Sequence, residues 1–198
     1  MSYTAKNYDR LIGTPGFSDN LLKNHFTLYA GYVTNTNKLM ETLAKTAPGT
    51  PEYAEMKRRF GWEWAGMRLH EMYFDNMVKQ TQDFSKDSSL GQKITADFGS
   101  YENWAKDFKG TGTMRGIGWV ILYYDKEGDK LVNTWINEHD LGHLPGAVPL
   151  LIMDVFEHAF ITDYGLKRAD YIEGFFNAIC WKTVGARLKD AKALVAAK

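Results

Sequence analysis

Three of the chain's five histidines lie in strongly apolar stretches of sequence, and their chemistry needs an explanation. They are His25, His70 and His158. A buried imidazole without partners for its ring nitrogens costs about 1 to 3 kcal/mol. Each of the three, taken alone, is most simply a hydrogen-bonded core histidine. One metal ion, however, would satisfy several of them at once.

Asp154 extends this candidate ligand set, since it precedes His158 by four residues. If helical geometry begins near Asp154, this spacing places both side chains on one side of the chain. The simpler interpretation is an aspartate at the end of a strand that caps the next helix. Three neutral nitrogens and one carboxylate oxygen suit manganese, iron or zinc better than calcium or magnesium.

Two predicted helices position the first two histidines. After a cap at Ser18 or Asp19, apolar residues and His25 recur at spacings of three and four. The segment 47–51, APGTP, breaks this helix and starts a second one that directs His70 to the same inward side. A short turn between two helices makes an antiparallel hairpin.

The remaining sequence predicts a small sheet among helices. A polar stretch, 80–91, is followed by helical patterns at 90–98 and 101–108, strand patterns at 119–124, 131–136 and 148–153, and helical patterns up to 159 and over 168–194. We therefore predict an α+β fold, with an N-terminal antiparallel helical hairpin and a C-terminal three-stranded antiparallel sheet flanked by helices. The predicted domains are 1–85, the helical hairpin, and 86–198, a C-terminal α/β domain, with the metal site between them.

Composition narrows the possible partners. Lys plus Arg and Asp plus Glu both number 24, so the formal net charge is zero and no overall field attracts nucleic acid or an anionic membrane. No apolar run approaches the roughly 20 residues that span a bilayer, and no signal-peptide pattern is seen. We expect a cytoplasmic protein that acts on a small molecule.

Four sequence segments carry a resemblance to a known family. Residues 154–160 read DVFEHAF, 69–74 read LHEMYF, 116–119 read GIGW and 167–171 read KRADY. In this order they are similar to motifs of the iron/manganese superoxide dismutases, and the chain resembles that family from about residue 17 to residue 194.

The resemblance implies a redox enzyme that disproportionates superoxide. It implies that His25, His70, Asp154 and His158 hold one manganese or iron ion per subunit, with a solvent molecule in the fifth position. It also implies a homodimer in which Glu157 reaches His158 of the other subunit. Whether two dimers form a tetramer stays open.

Further roles follow from the same resemblance. Tyr32 matches the tyrosine that guards the substrate funnel, Trp119 matches the tryptophan that walls the metal pocket, and Phe156 lies beside the ligands. Tyr29 stands where the family carries a second histidine, and Tyr32 follows His25 by seven residues instead of eight. Against the family's pattern this spacing implies a deletion of one residue, which would turn the family's π-bulge into a regular α-helix. Tyr29 and Tyr32 are therefore both candidates for the funnel.

The partner of the metal-bound solvent is also altered. Gly66 occupies one position from which the family supplies a glutamine, and it cannot take that role. The loop 137–143, NEHDLGH, resembles members that use histidine, with His139 the preferred residue and His143 the alternative. The rival functions are a non-haem iron oxygenase, a metal hydrolase, a zinc protein without redox activity, and a non-catalytic metal-binding scaffold derived from the same fold.

Overall fold

The computed structural model describes residues 2–196. Within them the chain forms helices α1 (Asp19–Leu43), α2 (Pro51–Asp75), α3 (Ser89–Phe98), α4 (Tyr101–Gly112), α5 (Ile161–Tyr164), α6 (Arg168–Asn177) and α7 (Trp181–Ala196), and strands β1 (Gly118–Asp125), β2 (Lys130–Asn137) and β3 (Val148–Asp154). Met1, Ala197 and Lys198, which the predicted domain ranges include, lie outside the described residues. No helix in the described range is both long enough and apolar enough to cross a membrane.

The first two helices form the predicted hairpin. The side chain of Ser18 accepts a hydrogen bond from the amide of Leu21, so Ser18 caps α1. Thr50 caps α2 in the same way, with Pro51 in the first turn. Both helices are 25 residues long, with His25 near the start of α1 and His70 near the end of α2.

The three strands form an antiparallel sheet in the order β2-β1-β3, with α3, α4, α6 and α7 around it. The predicted α+β fold is confirmed. The central strand β1 is buried along nearly its whole length because it has a neighbour on each side. In its register Trp119 lies opposite Ile136 of β2 and opposite Asp154 of β3. The start of β1 therefore lies between Asp154 and the loop that follows β2.

Two local predictions are wrong. Asp154 does not begin a helix, because it ends β3 and His158 lies in a short 3-10 turn, Glu157–Ala159. The helical pattern over 168–194 is also interrupted between α6 and α7. There the backbone of Ala178 and Cys180 pairs with the end of α2: the amide of Val78 donates to the carbonyl of Ala178 at 2.8 Å, and the amide of Cys180 donates to the carbonyl of Asn76 at 2.9 Å.

Candidate metal centre

The structure brings His25, His70, Asp154 and His158 together. One candidate ligand atom from each of the four lies within 4.8 Å of all the others. The Nε2 atoms of His25, His70 and His158 lie 3.2, 3.6 and 3.1 Å from Oδ2 of Asp154. His25 comes from α1, His70 from α2, and Asp154 and His158 from the segment that ends β3, so both parts of the fold contribute.

The hydrogen bonds of His70 show which of its ring nitrogens is available. Its Nδ1 lies 2.6 Å from the carbonyl oxygen of Gly66, and since a carbonyl only accepts, Nδ1 carries the proton. In the neutral ring, Nε2 then carries a lone pair and no proton. This atom is fully buried, and it has no hydrogen-bond partner among the described residues. A buried lone pair that faces a carboxylate is unfavourable unless a cation lies near both, so these residues fit a metal ion.

The electrostatics of the cluster favour the forms that bind metal. Burial lowers the pKa of His25 and lowers the pKa of His70 well below its usual value, so both imidazoles are neutral near pH 7. Burial alone would raise the pKa of Asp154. The charge of His158, together with hydrogen bonds from His158 and His25, outweighs burial and lowers the pKa of this carboxyl group. The site thus presents the carboxylate of Asp154 and neutral imidazole nitrogens from His25 and His70.

Two hydrogen bonds fix the position of Asp154. Its backbone carbonyl accepts a hydrogen bond of 2.6 Å from the hydroxyl of Tyr171, which lies 3.2 Å from the hydroxyl of Tyr73. Its Oδ1 accepts from the amide of Phe156 at 2.9 Å, which leaves Oδ2 to face the histidines. Sequence reasoning gave Tyr171 no role, although the residue lies inside the KRADY motif that carried part of the resemblance.

A chain of hydrogen bonds runs beside the four candidate ligands. The indole nitrogen of Trp119 donates to Nδ1 of His139 at 3.0 Å, and Nε2 of His139 lies 2.7 Å from the hydroxyl of Tyr32. Since Nδ1 accepts, the proton of the neutral ring is on Nε2, which donates to Tyr32. Burial lowers the pKa of His139 to about 4, so the ring is neutral at pH 7.

Tyr29 and Tyr32 face different surroundings. Helix α1 is α-helical over its whole length, as the apparent deletion predicted. The ring of Tyr32 stacks against His70 at 5.1 Å between centroids, whereas the hydroxyl of Tyr29 donates to Oε1 of Glu71 at 3.0 Å and accepts from the amide of Lys6. Of the two candidates for the funnel, Tyr32 is therefore the one next to His139.

Gly66 makes room for Tyr32. A Cβ atom at residue 66 would lie 2.7 Å from Cδ1 of the Tyr32 ring, so only glycine fits there without a shift. Trp62, one turn earlier on α2, packs against Tyr32 and His139 at centroid distances of 5.5 and 4.5 Å. Its indole donates to the Glu138 carboxylate at 2.9 Å. Sequence reasoning overlooked Trp62, although its position on the histidine-bearing helix was a usable signal.

The other predicted residues lie around this cluster. Phe156 stacks on His139 at 4.7 Å and on His158 at 5.2 Å between ring centroids. Glu157 is exposed. His143 lies outside the group of four candidate ligands, and its ring nitrogens form hydrogen bonds with the hydroxyl of Tyr123 and the carbonyl of His139.

Comparison with known proteins identifies one family that is similar to this chain. The sequence model of the family described as "Iron/manganese superoxide dismutases, C-terminal domain" matches residues 86–187. The chain is 35% identical to superoxide dismutase [Mn] 2 of Haloferax volcanii over 187 residues, which cover 93% of this chain and 92% of that protein. It is also 35% identical to superoxide dismutase [Fe] of Cupriavidus metallidurans over 183 residues, with 89% and 90% of the two chains covered.

Proposed function

Because this chain belongs to the iron/manganese superoxide dismutase family, we propose that it converts superoxide to dioxygen and hydrogen peroxide. The ion is one manganese or iron per subunit, and His25, His70, Asp154 and His158 hold it. The observation that carries the proposal is the convergence of three imidazole nitrogens on Oδ2 of Asp154, one of them a buried lone pair without another partner among the described residues.

The ligands and the reaction fit one another. Two superoxide anions and two protons give one dioxygen and one hydrogen peroxide, and a bound manganese or iron ion supplies the one-electron oxidation and reduction. Neutral histidines add no charge, and the single carboxylate of Asp154 offsets part of the charge of the ion. Some proteins with similar sequences are named manganese superoxide dismutases and others iron superoxide dismutases, so the proposal includes both ions.

Tyr32 and His139 hold the protons that the reaction needs. His139 donates through Nε2 to the Tyr32 hydroxyl, so the hydroxyl proton of Tyr32 is free to point toward the substrate. Burial raises the pKa of Tyr32, which keeps this proton in place at neutral pH. In this proposal Tyr32 delivers a proton and His139 orients it, while Trp119 fixes the ring of His139.

Access to the site is narrow, which suits a small substrate. His70, Asp154 and His139 are fully buried, and Tyr32 is 8% exposed. The side chain of His158 is 27% exposed, so the cluster approaches the surface beside it. A diatomic anion fits such an approach better than the larger substrates of a hydrolase.

We propose that the exposed surface next to His158 pairs with a second copy of the chain. Glu157 is exposed there, and Ile161 and Leu166 expose 42% and 93% of their surfaces to solvent. Exposed apolar side chains that form a patch mark surfaces on which proteins interact. Size-exclusion chromatography with light scattering tests the proposed dimer. A dimer that Glu157→Ala weakens would support the proposal. A wild-type protein that is monomeric at micromolar concentration would contradict it.

The activity itself is tested with purified protein that has been stripped of metal and reloaded separately with manganese and with iron. We expect superoxide decay in proportion to bound metal with one or both ions. His25→Ala and Asp154→Ala should lower metal content and activity together, since each removes one candidate ligand. A fully loaded wild-type protein without activity with either ion would favour a non-catalytic metal-binding scaffold.

A further inference from the structure

His143 makes two hydrogen bonds that the proposed reaction does not use. Its Nε2 lies 2.8 Å from the backbone carbonyl oxygen of His139, and its Nδ1 lies 2.7 Å from the hydroxyl of Tyr123. Because the carbonyl only accepts, Nε2 carries the proton, and the neutral ring then accepts from Tyr123 through Nδ1. His143 thus connects the buried strand β1 to the backbone of His139.

The loop that carries His139 needs such a connection. Asp140, Leu141 and Gly142 are exposed, although His139 is fully buried. Glu138 has φ of +55°, a left-handed conformation that is costly for a residue other than glycine. Residues in such a conformation persist only where neighbouring contacts hold them, and the hydrogen bond from His143 holds the carbonyl of His139, the residue after Glu138.

The connection reaches the candidate active site through one residue. Trp119 and Tyr123 are four residues apart on β1, so their side chains lie on the same face of the strand. Trp119 holds the His139 ring at Nδ1, while Tyr123, acting through His143, holds its backbone carbonyl. One rigid strand therefore fixes both the side chain and the main chain of His139.

We propose that His143 is a positioning residue that keeps the ring of His139 in line between Trp119 and Tyr32. The inference rests on the proposed function, because the Tyr32 and His139 pair matters only if protons are delivered there. His143 was the alternative to His139 as the hydrogen-bond partner of solvent at the metal. Since Tyr123 and the His139 carbonyl engage both of its ring nitrogens, it acts on His139 instead.

The decisive variants differ in hydrogen bonding at residue 143. His143→Leu removes both hydrogen bonds and keeps an apolar side chain of moderate size. His143→Gln retains one donor and one acceptor, so it should restore the connection. Asp140→Asn is the matched control, because Asp140 is exposed on the same loop and removal of its charge leaves the described hydrogen bonds of His139 intact.

The first readout needs neither metal nor activity. In the metal-free protein, the indole N–H resonance of Trp119, assigned with a Trp119→Phe variant, reports its hydrogen bond to His139. We expect this resonance to shift in His143→Leu, to return toward the wild-type position in His143→Gln, and to stay in place in Asp140→Asn. If His143→Leu does not fold, Tyr123→Phe removes one hydroxyl only and should give a smaller shift of the same resonance.

The second readout is turnover per bound metal ion. Loss of a group that orients a metal ligand typically costs about 10- to 100-fold, and since His143 acts further from the ligands, we expect about a 3- to 10-fold loss in His143→Leu. His143→Gln should recover most of it. An unshifted Trp119 resonance in the folded His143→Leu and Tyr123→Phe proteins would overturn the proposal. Inactive wild-type protein would overturn the dismutase function alone, since the resonance shift does not depend on turnover.

Discussion

The contact between Gly66 and Tyr32 predicts opposite effects for the same substitution at two positions of α2. Gly61→Ala places a methyl group in open space, because no atom beyond the helix's own backbone lies within 4 Å of it. Alanine exceeds glycine in helix propensity by about 1 kcal/mol, so this variant should be more stable by about 0.5 to 1 kcal/mol. Gly61→Ala is therefore the reference for Gly66→Ala.

Gly66→Ala gains the same propensity but places its methyl group 2.7 Å from Cδ1 of Tyr32. Overpacking against a buried side chain costs about 1 to 3 kcal/mol, so the net change should be a loss of about 0 to 2 kcal/mol. The two variants should then differ by about 1 to 3 kcal/mol in free energy of unfolding. A movement of the Tyr32 ring away from this methyl group disturbs its hydrogen bond with His139, so turnover should fall as well.

Urea unfolding of the metal-free proteins measures this difference, with the wild type unfolded in parallel. The free energy of unfolding must fall with urea concentration at the same slope in all three proteins, so that the unfolding midpoints report stability. If Gly66→Ala is as stable as Gly61→Ala and turns over superoxide like wild type, the close packing of Tyr32 on α2 would be refuted.

Three further results are expected. Burial lowers the pKa of His139 from its usual 6.5 to about 4. The metal-free protein should therefore lose about 3 kcal/mol of its free energy of unfolding as pH falls from about 6.5 to about 4. In the same acid titration, the loss in His139→Gln should be smaller by that amount. Tyr29→Phe should cost about 1 to 2 kcal/mol in urea unfolding with turnover nearly unchanged, whereas Tyr32→Phe should lower turnover about 10- to 100-fold in a stopped-flow assay. Free manganese or iron at about 100-fold above its Kd should stabilise the metal-free protein by about 3 kcal/mol in calorimetry, and His70→Ala should weaken this gain.

The long elements were predictable because their signals repeat along the chain. The apolar spacing around His25 and His70 specifies two helices whose histidines face inward, and both are buried as expected. The strands follow from runs of β-branched and aromatic residues between turns. The need of a buried imidazole for a partner made the three histidines candidates, and the resemblance to the family implied that they share one ion with Asp154.

The unpredicted features depend on hydrogen bonds that apolar periodicity does not show. Asp154 and His158 meet across a strand end and a 3-10 turn, because the Asp154 carboxylate accepts the amide of Phe156, and a spacing of four residues does not distinguish this from a helix. The break before α7 forms because the end of α2 offers backbone partners to Ala178 and Cys180. The backbone partners of Ala178 and Cys180 lie far away in sequence, so local periodicity does not show them.

The most direct test of a redox function at this site compares three metals in the same protein. Metal-free samples are loaded with manganese, iron or zinc, bound metal is quantified, and superoxide decay per bound ion is followed by stopped flow. We predict rapid decay with manganese or iron, and none above background with zinc, which has no redox chemistry. Manganese and iron samples that are fully loaded yet no faster than the zinc sample would contradict the proposed dismutase function.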